Sequence, residues 1–169
     1  MILFSGFETT FSMFAQSLFD YSSNQISWLF VFTGVVGLIV QGYISRRSST
    51  KFVGFTVCGL LLLAGSFIGL AFSFSIGMLL LFLGVLSAGV SLVMIYMPSL
   101  LTYYASEEKR GVIMGVYEGL GSLGRVVGPL LAYSFPLHLI RTEYFSYGII
   151  LTFIASGLYF LSLSFNKST

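Results

Sequence analysis

The chain is divided into long apolar runs by short breaks of charged and turn-forming residues, and the length of those runs decides its solvent. A bilayer core about 30 Å thick takes roughly 20 apolar residues of helix. Runs of that size cover residues 2–19, 26–44, 52–72, 76–104, 111–135 and 145–165. The breaks between them include DYSSNQ at 20–25, SRRSSTK at 45–51, SFS at 73–75 and SEEKR at 106–110. Nothing alternates with period two for ten residues at a time, so the runs read as helices rather than barrel strands, the two structures that satisfy their own backbone in lipid. Only 8% of the 169 residues are charged and the mean hydropathy is +0.95, far more apolar than a soluble domain of ordinary composition. The expected fold is all-α: a polytopic membrane protein whose six transmembrane helices form one bundle in the lipid bilayer.

Six crossings put alternate breaks on the same side. Arg46, Arg47, Lys51, Lys109, Arg110 and Lys167 then fall together, with Arg141 alone opposite. Basic residues collect on the cytoplasmic side, so both termini and the Arg46 and Lys109 loops are expected there. The first run starts almost at Met1 without the basic flank or small-residue cleavage site of a signal peptide. It reads as a transmembrane helix whose first residues are cut away, and the chain is either a fragment or a complete half-size protein.

Several function classes find no support. Cys58 is a lone cysteine in mid-span and His138 a lone histidine in a loop, so neither a disulfide framework nor a metal site is indicated. No nucleophile stands with a paired base, which points away from an enzyme and from any cofactor. The basic residues are too few and too divided among loops for nucleic acid.

Ionisable residues inside a span cost about 2.5–3.5 kcal/mol on insertion scales, which makes each one a functional candidate. Glu8, Glu118 and Arg125 qualify. Glu118 and Arg125 are close to two helical turns apart, which places them on one side of the fifth helix about 10 Å apart along its axis. Two readings fit. Either Glu118 changes charge during a transport cycle, or acid and base neutralise one another and lock the bundle. Glu8 is either a cavity-facing acid or a boundary residue.

Small residues are the second signal. Gly111, Gly115 and Gly119 recur every four residues, and Gly124 and Gly128 repeat the spacing before Pro129. Such a face lets helices approach closely, and the set together with the proline suggests a helix able to bend. The fourth run carries a comparable face in Gly84, Ser87, Ser91, Pro98 and Thr102. The third and sixth runs are free of charge and are expected at the lipid-facing periphery.

Three segments in order resemble the C-terminal half of a major facilitator superfamily transporter, and the resemblance covers the whole chain. QGYISRR, from Gln41 to Arg47, is similar to the second copy of that superfamily's cytoplasmic loop signature, a helix-terminal glycine followed by basic residues. EEKRG at 107–111, Gly115 and the GRVVGP stretch ending at Pro129 look like its eleventh helix. FSGFETTFSM at 4–13 is similar to the seventh helix of the tetracycline-transporter-like, drug:proton antiporter branch. One departure is the acid that usually precedes the basic pair of the loop signature, absent here beside Ser45 and Arg46.

The resemblance implies twelve helices in two halves with substrate bound between them, so the partner would be a missing N-terminal six-helix half or a second copy. The first and fourth helices would line the cavity, making Glu8, Ser91 and Tyr96 lining residues. Gly42, Arg46 and Arg47 would form the cytoplasmic gating loop. Protons and a small organic molecule would be carried through Glu8 and Glu118, with Arg125 as counter-charge or anion contact. The other reading is a non-transporting six-helix scaffold or a homodimerising half-transporter.

Overall fold

The computed structural model describes residues 2–46, 52–133 and 140–166, with side chains 132–141, 143 and 158–166 among those left undescribed. Helices α1 (Ile2–Phe19), α2 (Ser23–Ser45), α3 (Phe52–Ala71), α4 (Ile76–Tyr104), α5 (Arg110–Tyr133) and α6 (Ile140–Asn166) follow one another, with a single 3-10 turn at Glu107–Lys109. The protein is all-α in its described residues. Helices α2, α3 and α4 are long and apolar enough to cross a membrane.

Local chemistry sets the helix ends. Asp20 closes α1 in the left-handed conformation, φ 55°, with its N–H on the Gln16 carbonyl at 3.1 Å, a conformation Asp tolerates better than most residues. Ser22 opens α2 three residues before the expected start, because Gln25 Oε1 accepts from its N–H at 2.9 Å in a capping-box arrangement. Ser75 caps α4 by accepting from the Met78 N–H at 3.4 Å. Helix α6 begins at Ile140 rather than 145, so Arg141 and Glu143 belong to its first turn and not to a loop. Proline does not end α4 or α5: Pro98 and Pro129 both lie inside their helices.

The packing is not sequential. Helix α3 lies between α4 and α6, α2 rests on α4, and α5 returns to pack on α1, touching its chain neighbour α4 only lightly. Helix α3 is enclosed on one side: half of its apolar stretch is buried by the rest of the chain, against 17% for α2, while Phe55, Cys58 and Leu61 stay exposed on the other. Absence of charge marks tight helix packing as well as a lipid face, because both exclude water.

Close crossings make this possible. A Cβ placed on Gly148 of α6 would lie 2.9 Å from the Ala64 carbonyl oxygen of α3. Around these crossings sits an aromatic core. Phe7 packs edge-on to Phe67 at 5.5 Å between centroids, Phe14 lies 5.0 Å from Tyr144, and Tyr147 is perpendicular to Phe67. Tyr144 is fully buried and its hydroxyl is 3.1 Å from Thr10 Oγ1, as a phenol in an apolar interior requires. The buried hydroxyls of Thr56 and Ser66 are satisfied by carbonyls of their own helix, and that of Ser73 by the Leu70 carbonyl at the end of α3.

Candidate functional site

Between α1, α2 and α4 lies a cleft of about 310 Å³, lined mostly by apolar side chains such as Phe7, Phe11 and Leu86. Its polar groups are few. Glu8 brings a carboxyl from α1, Thr33 and Gln41 line it from α2, and Ser87 and Ser91 from α4. An apolar pocket with a handful of convergent polar groups is the usual form of a small-molecule site.

The α2 wall is held by the serines. Ser87 Oγ donates to the Thr33 carbonyl at 2.7 Å, and Ser91 Oγ to the Gly37 carbonyl at 3.4 Å while accepting from Gln41 Nε2 at 3.5 Å. Gly37 leaves little room there, since a Cβ would stand 3.1 Å from Ser87 Oγ. Ser91 therefore lines this cleft and also fastens its wall. Gln41, noted in the sequence only as the start of the loop signature, and Gly37 are part of the same site; the small residue facing a serine pair across two helices is visible only once α2 and α4 are placed together.

Tyr96 does not line this cleft. It is buried against α3, its ring stacked on Phe55 at 4.7 Å and 13°. The register explains this, since Tyr96 is five residues beyond Ser91 and so projects from a different side of α4.

On α5 the acid and base share a side, but the nearest working relation runs between helices. Glu118 and Arg125 are both exposed, and neither lines the cleft. Ser5 of α1 donates to the Arg125 carbonyl at 3.1 Å, which brings α5 against α1 one turn from Glu8. No direct ion pair forms at this place; within 4 Å, the described residues hold the exposed Arg110–Glu107 pair at 3.7 Å.

The glycines divide. Gly121, Gly124 and Gly128 are buried, with Pro129 partly so. A Cβ on Gly111, Gly115 or Gly119 would meet nothing within 4 Å. Within this chain those three face outward, while Gly121, which the four-residue spacing had not included, is buried. Gly42 is likewise open, and Arg46 is exposed at the end of α2. Arg47, Lys51 and His138 lie outside the described residues.

Comparison with known proteins bears on this arrangement. The profile of the Major Facilitator Superfamily matches residues 1–168. The mouse protein called Major facilitator superfamily domain-containing protein 10 is 34% identical over 135 residues, covering 79% of this chain and 30% of its own length. Its human counterpart is 33% identical over the same shares. The crystal structure of the human organic anion transporter MFSD10 (TETRAN) is similar with a TM-score of 0.83 and 29% identity, over 93% of this chain and 37% of that one. The chain thus spans about a third of the length of these relatives. With the profile matching nearly end to end on an apolar helical fold, the chain is an integral membrane protein that belongs to the major facilitator superfamily.

Proposed function

We propose that this chain acts as the C-terminal six-helix half of a proton-coupled secondary transporter, exporting amphipathic organic molecules by alternating access in the plasma or inner membrane. The observation that carries the reading is Glu8, an acid opening onto a mostly apolar cleft that Gln41 and Ser91 also line. A bare carboxylate facing lipid is costly. A substrate cavity shared with a second bundle relieves that cost, and the relatives' greater length leaves room for one. The crystallised relative is titled an organic anion transporter, and Arg125 is the cation such a substrate would meet. Glu118 belongs to the same exposed side of α5 and serves as a second proton or substrate carboxylate. Arg46 and Arg47 guard the cytoplasmic end of the path, with both termini on that side.

The test is efflux of a panel of organic anions and cations by the longer protein, with a pH gradient imposed and then collapsed. Glu8→Gln is expected to abolish the dependence on the gradient. Unchanged rate and unchanged gradient dependence in Glu8→Gln would remove Glu8 from the mechanism, and the same comparison for Glu118→Gln decides its role.

A second reading draws on the open stripe of Gly111, Gly115 and Gly119, which suits close approach of another bundle. That bundle is an N-terminal half or a second copy, and a homodimer without efflux activity would favour the scaffold reading.

A further inference from the structure

A carbonyl inside an α-helix accepts from the N–H four residues later, and in lipid no water replaces a missing donor. The donor due to Arg125 is residue 129, a proline without an N–H. Helix α5 nevertheless continues through Pro129 to Tyr133. The orphaned acceptor is met from another helix, by the buried Ser5 hydroxyl of α1 at 3.1 Å.

This bond differs from its neighbours. On α1 the hydroxyls of Thr9 and Ser12 donate to carbonyls of their own helix three or four residues back. Ser5 spends its proton across 120 residues of sequence instead. Gly121, Gly124 and Gly128 are buried on α5, and glycine is what permits backbones to come this near. One turn beyond Ser5 on α1 stands Glu8, which lines the cleft.

We infer that Ser5 is a positioning residue: by donating to the carbonyl that Pro129 leaves without its helical donor, it clamps α1 to α5 and sets where the Arg125 side chain lies relative to Glu8. The bond fastens α5 at the point where the proline weakens it, so opening the clamp frees both the α1 contact and the bend. Its role in transport rests on the reading of Glu8 and Arg125 given above; the clamp itself does not.

A double-mutant cycle tests it in the purified longer protein. Pro129→Ala restores the N–H and makes Ser5 redundant, as does Pro129→Leu should the alanine variant fail to fold. Ser5→Ala is expected to lower the melting temperature when Pro129 is present but not in the Pro129→Ala or Pro129→Leu background, with Ser5→Thr retaining the native value. The positioning role is read by a water-soluble thiol reagent on Arg125→Cys in a Cys58→Ala background. Ser5→Ala should raise the labelling rate about threefold, the scale of an interhelical hydrogen bond in a membrane, and restoring the N–H through Pro129→Ala should cancel the increase. An equal effect of Ser5→Ala in all backgrounds, or none in any, overturns the clamp. A cycle that behaves as expected while Glu8→Gln leaves transport unaltered upholds the clamp and defeats the transport reading.

Discussion

Gly59 of α3 and Gly89 of α4 face each other so closely that a Cβ on Gly59 would stand 3.1 Å from the Gly89 carbonyl oxygen, and one on Gly89 would stand 2.9 Å from that of Gly59. Both neighbours are backbone, which cannot rotate away. The crossing is therefore a fixed point of the bundle. Gly89→Ala should destabilise the protein by about 1–3 kcal/mol, the cost of overpacking, seen as a lower melting temperature in detergent. Gly111→Ala and Gly115→Ala meet open space and should stay within about 0.5 kcal/mol of the parent. A destabilised Gly115→Ala with a neutral Gly89→Ala would show that α5, not the α3–α4 pair, carries the close crossing.

Tyr144 joins α6 to α1 through its ring and its hydroxyl. Tyr144→Phe keeps the ring and should cost about 0.6–1.7 kcal/mol, the range of interhelical hydrogen bonds in membranes. Tyr144→Ala leaves a cavity and should cost about 3–5 kcal/mol, as large aromatic truncations do. Chemical or thermal unfolding of the two variants side by side separates ring from hydroxyl. Equal losses would mean the hydroxyl contact carries the whole effect.

Tyr96 gives a direct test of which residues line the path. Stacked on Phe55 and buried, it should behave as a packing residue: Tyr96→Phe keeps stability and substrate preference, while Tyr96→Ala lowers the melting temperature. A changed substrate preference in Tyr96→Phe at unchanged stability would return it to the cavity wall.

The Arg110–Glu107 pair spans 3.7 Å, with side chains 49% and 89% exposed. Exposed pairs of this kind contribute about 0–1 kcal/mol. Glu107→Gln is expected to leave the melting temperature unaltered in low and high salt alike. A loss of equal size in low and high salt would show that the pair is shielded by something packed over it.

Helix existence was legible from hydropathy, and the interior boundaries of α4 fall where the apolar run from Ile76 to Tyr104 begins and ends. Those signals are local. The early start of α2 rests on one capping arrangement at Ser22 and Gln25, readable in principle from the S-x-x-Q spacing. The cleft was legible in part: an acid in a span is conspicuous by its cost, so Glu8 stands out in the sequence, whereas the contacts of Gln41 and Gly37 with Ser91 and Ser87 show only once α4 lies beside α2.

By itself the sequence determined that the chain is apolar, helical and spaced for a bilayer, because the cost of an unpaired backbone group in lipid is felt residue by residue. Which glycines pack, which charge answers which, and that α5 returns to α1 were decided by the tertiary structure alone. Gly115 and Gly124 have similar local surroundings in sequence, yet one faces open space and the other is buried. The physical reason is that small-residue contacts carry no identity of their own: a glycine permits a close neighbour, and only the rotation of both helices selects one.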